Sequence, residues 1–129
     1  MDKYTQRLIT EWRKHGKLIV AVDFDDTLEP FKTADKNECE GLIDYLISIQ
    51  DKLRIIIWTA SDPARHLYIK SYCEGRGLNI VGVNVPAMEG LKYGTPSKPY
   101  FNLLIDDRAG KEEAINNLKQ AYNIVYVNI

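Results

Sequence analysis

Five short runs of Val, Ile and Leu set the first limit on this fold. They are Leu18–Val22, Leu53–Trp58, Ile80–Val83, Phe101–Ile105 and Ile124–Val127. Each is nearly continuous rather than alternating. A strand that is apolar on both sides must be covered on both faces, which is the habit of parallel sheets.

Helical patterns lie between the runs. Cys39, Leu42, Ile43, Leu46 and Ile49 recur at three- and four-residue spacing and build one apolar stripe. Ser61-Asp62-Pro63 reads as a cap with proline in the first turn, opening a helix through Leu67 to Tyr72 that Gly75 and Gly77 end. Ala114, Ile115, Leu118, Ala121 and Tyr122 form a further stripe, and Tyr4, Leu8, Ile9 and Trp12 predict a short docking helix ahead of the first strand. Pro86–Pro99, with Gly90, Gly94 and Pro96 inside it, reads as a long loop, and long loops are often functional. The predicted fold class is α/β: a doubly wound parallel sheet with helices on both faces, residues 1–129 forming one domain.

Composition narrows the function classes. The 129 residues carry 17 basic and 18 acidic side chains, so no global charge pulls the chain toward nucleic acid or anionic lipid. No apolar run approaches the ~20 residues needed to span a bilayer, and the first residues lack the apolar core of a secretory signal. Cys39 and Cys73 then read as reduced, partly buried thiols, and the expected location is the cytoplasm. His15 and His66 have no ligand-like partners by spacing and read as surface residues.

Open α/β sheets bind ligands beyond the carboxyl ends of their strands. The first strand delivers Asp23-Phe24-Asp25-Asp26-Thr27 there, the second delivers Thr59, and the fourth delivers Asp106-Asp107, with Lys98 just ahead of it. Carboxylates crowded this way repel: a like-charge pair ~4 Å apart costs roughly 4 kcal/mol at an effective dielectric near 20. Such a cluster requires a cation or proton uptake. Oxygen-only donors suit Mg²⁺ rather than zinc, and a neutral carboxyl beside an ionised one is an acid-plus-nucleophile arrangement. A hydroxyl and an ammonium nearby would meet the remaining oxygens of a phosphoryl group. Asp26 reads as a cap or turn residue.

At these residues the chain resembles the haloacid dehalogenase superfamily of aspartate-nucleophile phosphohydrolases. The family's D-x-D-x-T after an apolar strand matches Asp23 to Thr27. Its strand ending in Thr or Ser matches Ile55 to Thr59, its Lys matches Lys98, with Lys92 as competitor, and its acidic strand end matches Asp106 and Asp107. The four motifs, in order, span residues 17–107. The resemblance implies a five-stranded sheet in the order 5-4-1-2-3 and a phosphomonoesterase. Asp23 would become an aspartyl phosphate, and Asp25 would act as general acid and base. Thr59 and Lys98 would hold and neutralise the phosphoryl group, and Thr27 would brace the turn. Mg²⁺ would sit among Asp23, the main chain of Asp25, Asp106 and Asp107. Position 26 is Asp where many members have Gly. The intervals between motifs leave no room for a cap domain, so the resemblance is to a minimal, capless member with an open site.

Two other function classes share parts of this constellation. A receiver-like, non-catalytic phosphate-responsive module also groups acidic residues, Thr and Lys around Mg²⁺, in a different chain order. A degenerate member would only bind. The expected partner is a phosphorylated substrate, with nucleic acid entering only as such a substrate and no membrane. A homodimer could supply the missing lid.

Overall fold

The first strand, β1 (Leu18–Val22), is buried at every position and sits in the middle of a parallel sheet. On one side it pairs in parallel with β2 (Leu53–Ile57), which pairs in turn with β3 (Gly82–Val83). On the other side it pairs with a short strand, Leu103–Ile105. A computed structural model describes residues 1–85, 94–95 and 98–127, apart from the side chains at 94, 95, 98 and 99. Within that range Gly94–Thr95 (β4) and Lys98–Pro99 (β5) pair as an antiparallel ribbon, and Leu103–Ile105 is β6. The sheet order is therefore β3-β2-β1-β6. The Pro86–Pro99 segment, expected as loop throughout, thus contains a strand pair where it is described, and Lys92 lies outside the described residues.

Four helices complete the fold: α1 (Lys3–His15), α2 (Lys36–Ile49), α3 (His66–Gly75) and α4 (Lys111–Tyr122). Each begins or ends for a local reason. Asp2 and Asp35 accept the N–H groups of Thr5 and Glu38 at the starts of α1 and α2, caps worth about 1 kcal/mol each. Asp62 caps a single 3₁₀ turn, Pro63–Arg65, which then feeds α3. Gly16, at φ +79°, lets α1 turn sharply into β1.

Alternate strand residues separate two layers. Leu18, Val20, Val22, Ile55, Ile57 and Ile105 join one core with buried residues of all four helices. Trp12, Leu46, Ile69 and Leu118 sit at its centre. Fully burying a side chain of this size stabilises the fold by about 1.5–3 kcal/mol relative to exposure. Ile19, Ala21 and Ile56 point the other way and pack with Trp58, Phe101 and Leu104. No helix contributes to that second cluster, so the expectation of helices on both faces is corrected: among the described residues all four lie on one. A right-handed crossover explains the asymmetry. The connections β1–α2–β2 and β2–α3–β3 run in one direction, and the described part of the return from β3 to β6 carries the β4–β5 ribbon. Asn102 fastens that return, its main-chain N–H and side-chain oxygen both bonding the backbone of Ile19.

Among the described residues the sheet has four strands, not five. Ile124–Val127, expected as the outer strand, continues α4 as a π-helical turn over Asn123–Val127. Its β-branched residues favour a strand, but aromatic packing wins. Tyr122 and Tyr126, four apart, both lie against Trp12, with ring centroids at 5.9 and 5.5 Å, and the Tyr126 hydroxyl donates to the Gly16 carbonyl at 3.1 Å. No domain is inserted between β1 and β2, where a loop, α2 and one 3₁₀ turn fill the connection. Cys39 and Cys73 are buried free thiols. His15 is exposed, whereas His66 is half-buried and its Nε2 is enclosed without a hydrogen-bond partner. No helix among the described residues is long and apolar enough to cross a membrane.

A candidate carboxylate site at the strand ends

Parallel pairing brings three strand ends together. Val22 is in register with Ile57 on one side and Ile105 on the other. The ladder runs one step further each way: Asp23 N–H donates to the Ile105 carbonyl at 2.8 Å, and Trp58 N–H donates to the Val22 carbonyl at 2.9 Å. Asp23, Asp106 and Thr59 must therefore emerge along the same edge.

Asp23, Asp106 and Asp107 each offer a carboxylate oxygen, and these oxygens lie within 4.8 Å of one another. Partial burial, a hydrogen bond shared with Asp107 and the charge of Asp106 push the Asp23 carboxyl up to about 7. Burial and neighbouring like charge both disfavour the ionised form. Thr27, fully buried, donates its hydroxyl to Asp23 Oδ2 at 3.3 Å and thereby fixes the side chain's direction. Asp106 Oδ1 in turn accepts the Arg108 N–H at 2.9 Å. The donor set is oxygen only and carries an unbalanced charge, which fits a hard divalent cation such as Mg²⁺.

Asp25 faces elsewhere. Its carboxylate is held end-on by Arg65, Nη1 to Oδ2 at 3.0 Å and Nη2 to Oδ1 at 3.3 Å. Ser61 joins this pair, its Oγ accepting from Arg65 Nη1 at 2.9 Å and lying 3.4 Å from Asp25 Oδ2. Thr59 donates its hydroxyl to Ser61 Oγ at 3.0 Å. The side chains of Thr59, Ser61, Arg65 and Asp25 thus form one polar chain alongside the three-carboxylate group. Of the four aspartates expected around a metal, three bring their carboxylates together, and Asp25, expected there through its main chain, turns its side chain to a guanidinium.

Asp26 is neither a helix cap nor a solvated turn. It is buried, at φ +62°, and its Oδ1 accepts the N–H groups of Phe31, Lys32, Thr33 and Ala34 at 2.8, 2.8, 3.1 and 3.2 Å. Burial pushes its carboxyl up, but the four donors outweigh that and hold it well below the usual carboxylate range. One carboxylate thereby organises the loop leading into α2. An Asp tolerates this left-handed backbone better than most residues.

Lys98 lies on β5, and its side chain is outside the described residues. Lys111, at the start of α4, is largely buried, with its Nζ 3.4 Å from the Asp26 carbonyl and 3.0 Å from Glu38. Sequence reasoning missed four residues. Arg65 follows Ser61 by four positions, a helical spacing that puts them together, yet the stretch reads only as a helix start. Ser61 was taken as part of that cap. Asn84, at φ +55°, brackets the main chain of Thr59, accepting its N–H at 2.9 Å and donating to its carbonyl at 2.8 Å. Nothing in the sequence singles out Asn84 or Lys111, because both act through pairings between distant parts of the chain. No protein-family model matches the chain, and searches of curated proteins and of solved structures likewise return no match.

Proposed function

We propose that the protein is a Mg²⁺-dependent phosphomonoesterase of the haloacid dehalogenase type, with Asp23 as nucleophile and Asp25 as general acid and base. The observation that carries this reading is the group of Asp23, Asp106 and Asp107 at the ends of two neighbouring parallel strands, with a carboxyl that holds its proton up to about 7. A bound divalent cation would supply the positive charge that ionises Asp23 and would offset the substrate's phosphoryl charge. Asp23, Asp106 and Asp107 would hold it.

Asp23, oriented by Thr27, attacks phosphorus with a carboxylate oxygen. The bond from phosphorus to the leaving oxygen breaks, and Asp25 gives that oxygen a proton. Water then attacks the aspartyl phosphate, Asp25 takes its proton, and inorganic phosphate and free Asp23 result. Thr59, clamped by Asn84, positions a phosphoryl oxygen. Lys98 is the candidate ammonium for the same group. Asp25 is paired with Arg65 at 3.0 Å, so the proton it delivers and takes moves beside a guanidinium.

The test is hydrolysis of an aryl and an alkyl phosphate with and without Mg²⁺. Asp23→Asn should abolish turnover of both, and equal rates in variant and parent would refute the reading. Asp25→Asn should slow the alkyl ester by about 10²–10⁴-fold. The aryl ester should suffer less, because its leaving group needs less protonation.

A further inference from the structure

Arg65 is only partly used by the contacts it makes. A guanidinium has five N–H donors in a planar fork. The end-on grip on Asp25 and the bond to Ser61 take both hydrogens of Nη1 and one of Nη2. Among the described residues the remaining Nη2 hydrogen and the Nε hydrogen have no partner. Those two lie on one edge of the plane, parallel and in the same direction, which is the spacing that matches two oxygens of a carboxylate or phosphate.

The free edge is also held in place. Asp25 and Ser61 fix the guanidinium at one end. Its central carbon lies 6.0 Å from the ring centroids of both Phe24 and Tyr68, and Tyr68 is tied through its hydroxyl to Glu29. The side chain nonetheless remains 39% exposed. An arginine that is oriented, partly accessible and half-unpaired loses little entropy when an anion binds it.

Its location says what that anion belongs to. In the reading proposed above, on which this inference rests, Asp25 protonates the leaving oxygen, so a side chain bonded to Asp25 lies on the leaving-group side. We propose that Arg65 is a specificity residue that binds a second anionic group, carboxylate or phosphate, carried by the leaving group of the substrate. The substrate class is then a phosphomonoester with a second anionic end rather than a neutral alcohol phosphate. No domain is inserted between β1 and β2 to read the leaving group, and Arg65 does this from the turn that opens α3.

The experiment uses alkyl phosphates of two to four carbons ending in methyl, carboxylate or a second phosphate, with Mg²⁺ present. The parent protein should favour at least one anionic ending over methyl by about tenfold or more in kcat/KM, chiefly through KM. The two anionic arms show whether the group is a carboxylate or a phosphate. In Arg65→Met the ratio of anionic to methyl substrate should fall toward one, whatever happens to the absolute rates. In Arg65→Lys, which keeps the charge and loses the fork, it should be intermediate. Arg76→Met removes the same charge beyond the other end of α3 and should leave the ratio as in the parent. No preference in the parent, or a preference that survives in Arg65→Met, overturns the inference while leaving the phosphatase reading standing. If the parent hydrolyses none of the compounds, that reading fails, and calorimetric binding of the bisphosphates decides: tighter binding by the parent than by Arg65→Met supports the anion site, and equal or absent binding overturns it.

Discussion

Asp23 and Asp26 lie three positions apart, and their surroundings push their carboxyls in opposite directions. The Asp26 carboxylate is favoured in the folded chain by four main-chain donors. Its contribution to stability is therefore complete above the unfolded value near ~3.9 and is lost as pH falls below it. Asp26→Asn keeps an acceptor and tolerates the left-handed backbone, so it isolates the charge. The variant should be less stable than the parent in urea at pH 7, and the gap should narrow by pH 3; a gap independent of pH would contradict this account. Asp23 has the reverse sign. Its folded carboxyl binds a proton more tightly than the unfolded one, so stability falls as pH rises from about 4 toward 7. In a chelator at pH 8, Asp23→Asn should stabilise the protein by about 1–2 kcal/mol once solvent screening is allowed for. At pH 4 that gain should vanish. Urea midpoints at the two pH values measure it.

Among the elements, the end of α4 shows how side-chain spacing overrides local propensity. Ile124, Val125 and Val127 are β-branched and favour extended backbone, and the last strand of a five-stranded sheet would have used them. The aromatic rings at 122 and 126 instead grip Trp12 of α1, and Lys52 lies over the Tyr126 ring at 5.1 Å. Carbon chemical shifts at residues 123–127 should accordingly read helical; strand values would restore the fifth strand. Tyr126→Ala should destabilise the protein by about 1–3 kcal/mol, measured by chemical denaturation, because it removes two ring contacts and the bond to Gly16. The turn ahead of α3 has the opposite character. Asp62 and Pro63 start it as local rules expect, and the functional consequence, Arg65 set against Asp25, comes from a contact forty positions away along the chain.

At the scale of the molecule, the described residues form a sheet with its helices on one face and the carboxylates gathered at one edge. Three carboxyls crowded at that edge cannot all ionise without a repulsion that a cation would relieve. Mg²⁺ should therefore raise the melting temperature of the parent. At a hundredfold excess over Kd the stabilisation would be about 2.7 kcal/mol. Asp106→Asn should lose most of that rise, and scanning calorimetry with and without the ion measures both. A parent protein whose melting temperature ignores Mg²⁺ would remove the ion from this site.

Strand and helix identity was largely legible from residue order. Continuous apolar runs marked β1 and β2, three- and four-residue spacing marked α2 and α4, and carboxylates just past the strand runs pointed to the edge where Asp23, Asp106 and Asp107 meet. These features depend on near neighbours in the chain, so periodicity carries them. Which face the helices cover, whether the last apolar run pairs or coils, what Asp25 holds and what Asp26 organises were settled by contacts between distant segments. A carboxylate looks the same in a sequence whether it will meet two other carboxylates, a guanidinium or four main-chain N–H groups. Only folding brings those partners within about 3 Å, the range where hydrogen bonds form, and there the same side chain takes on three different chemistries.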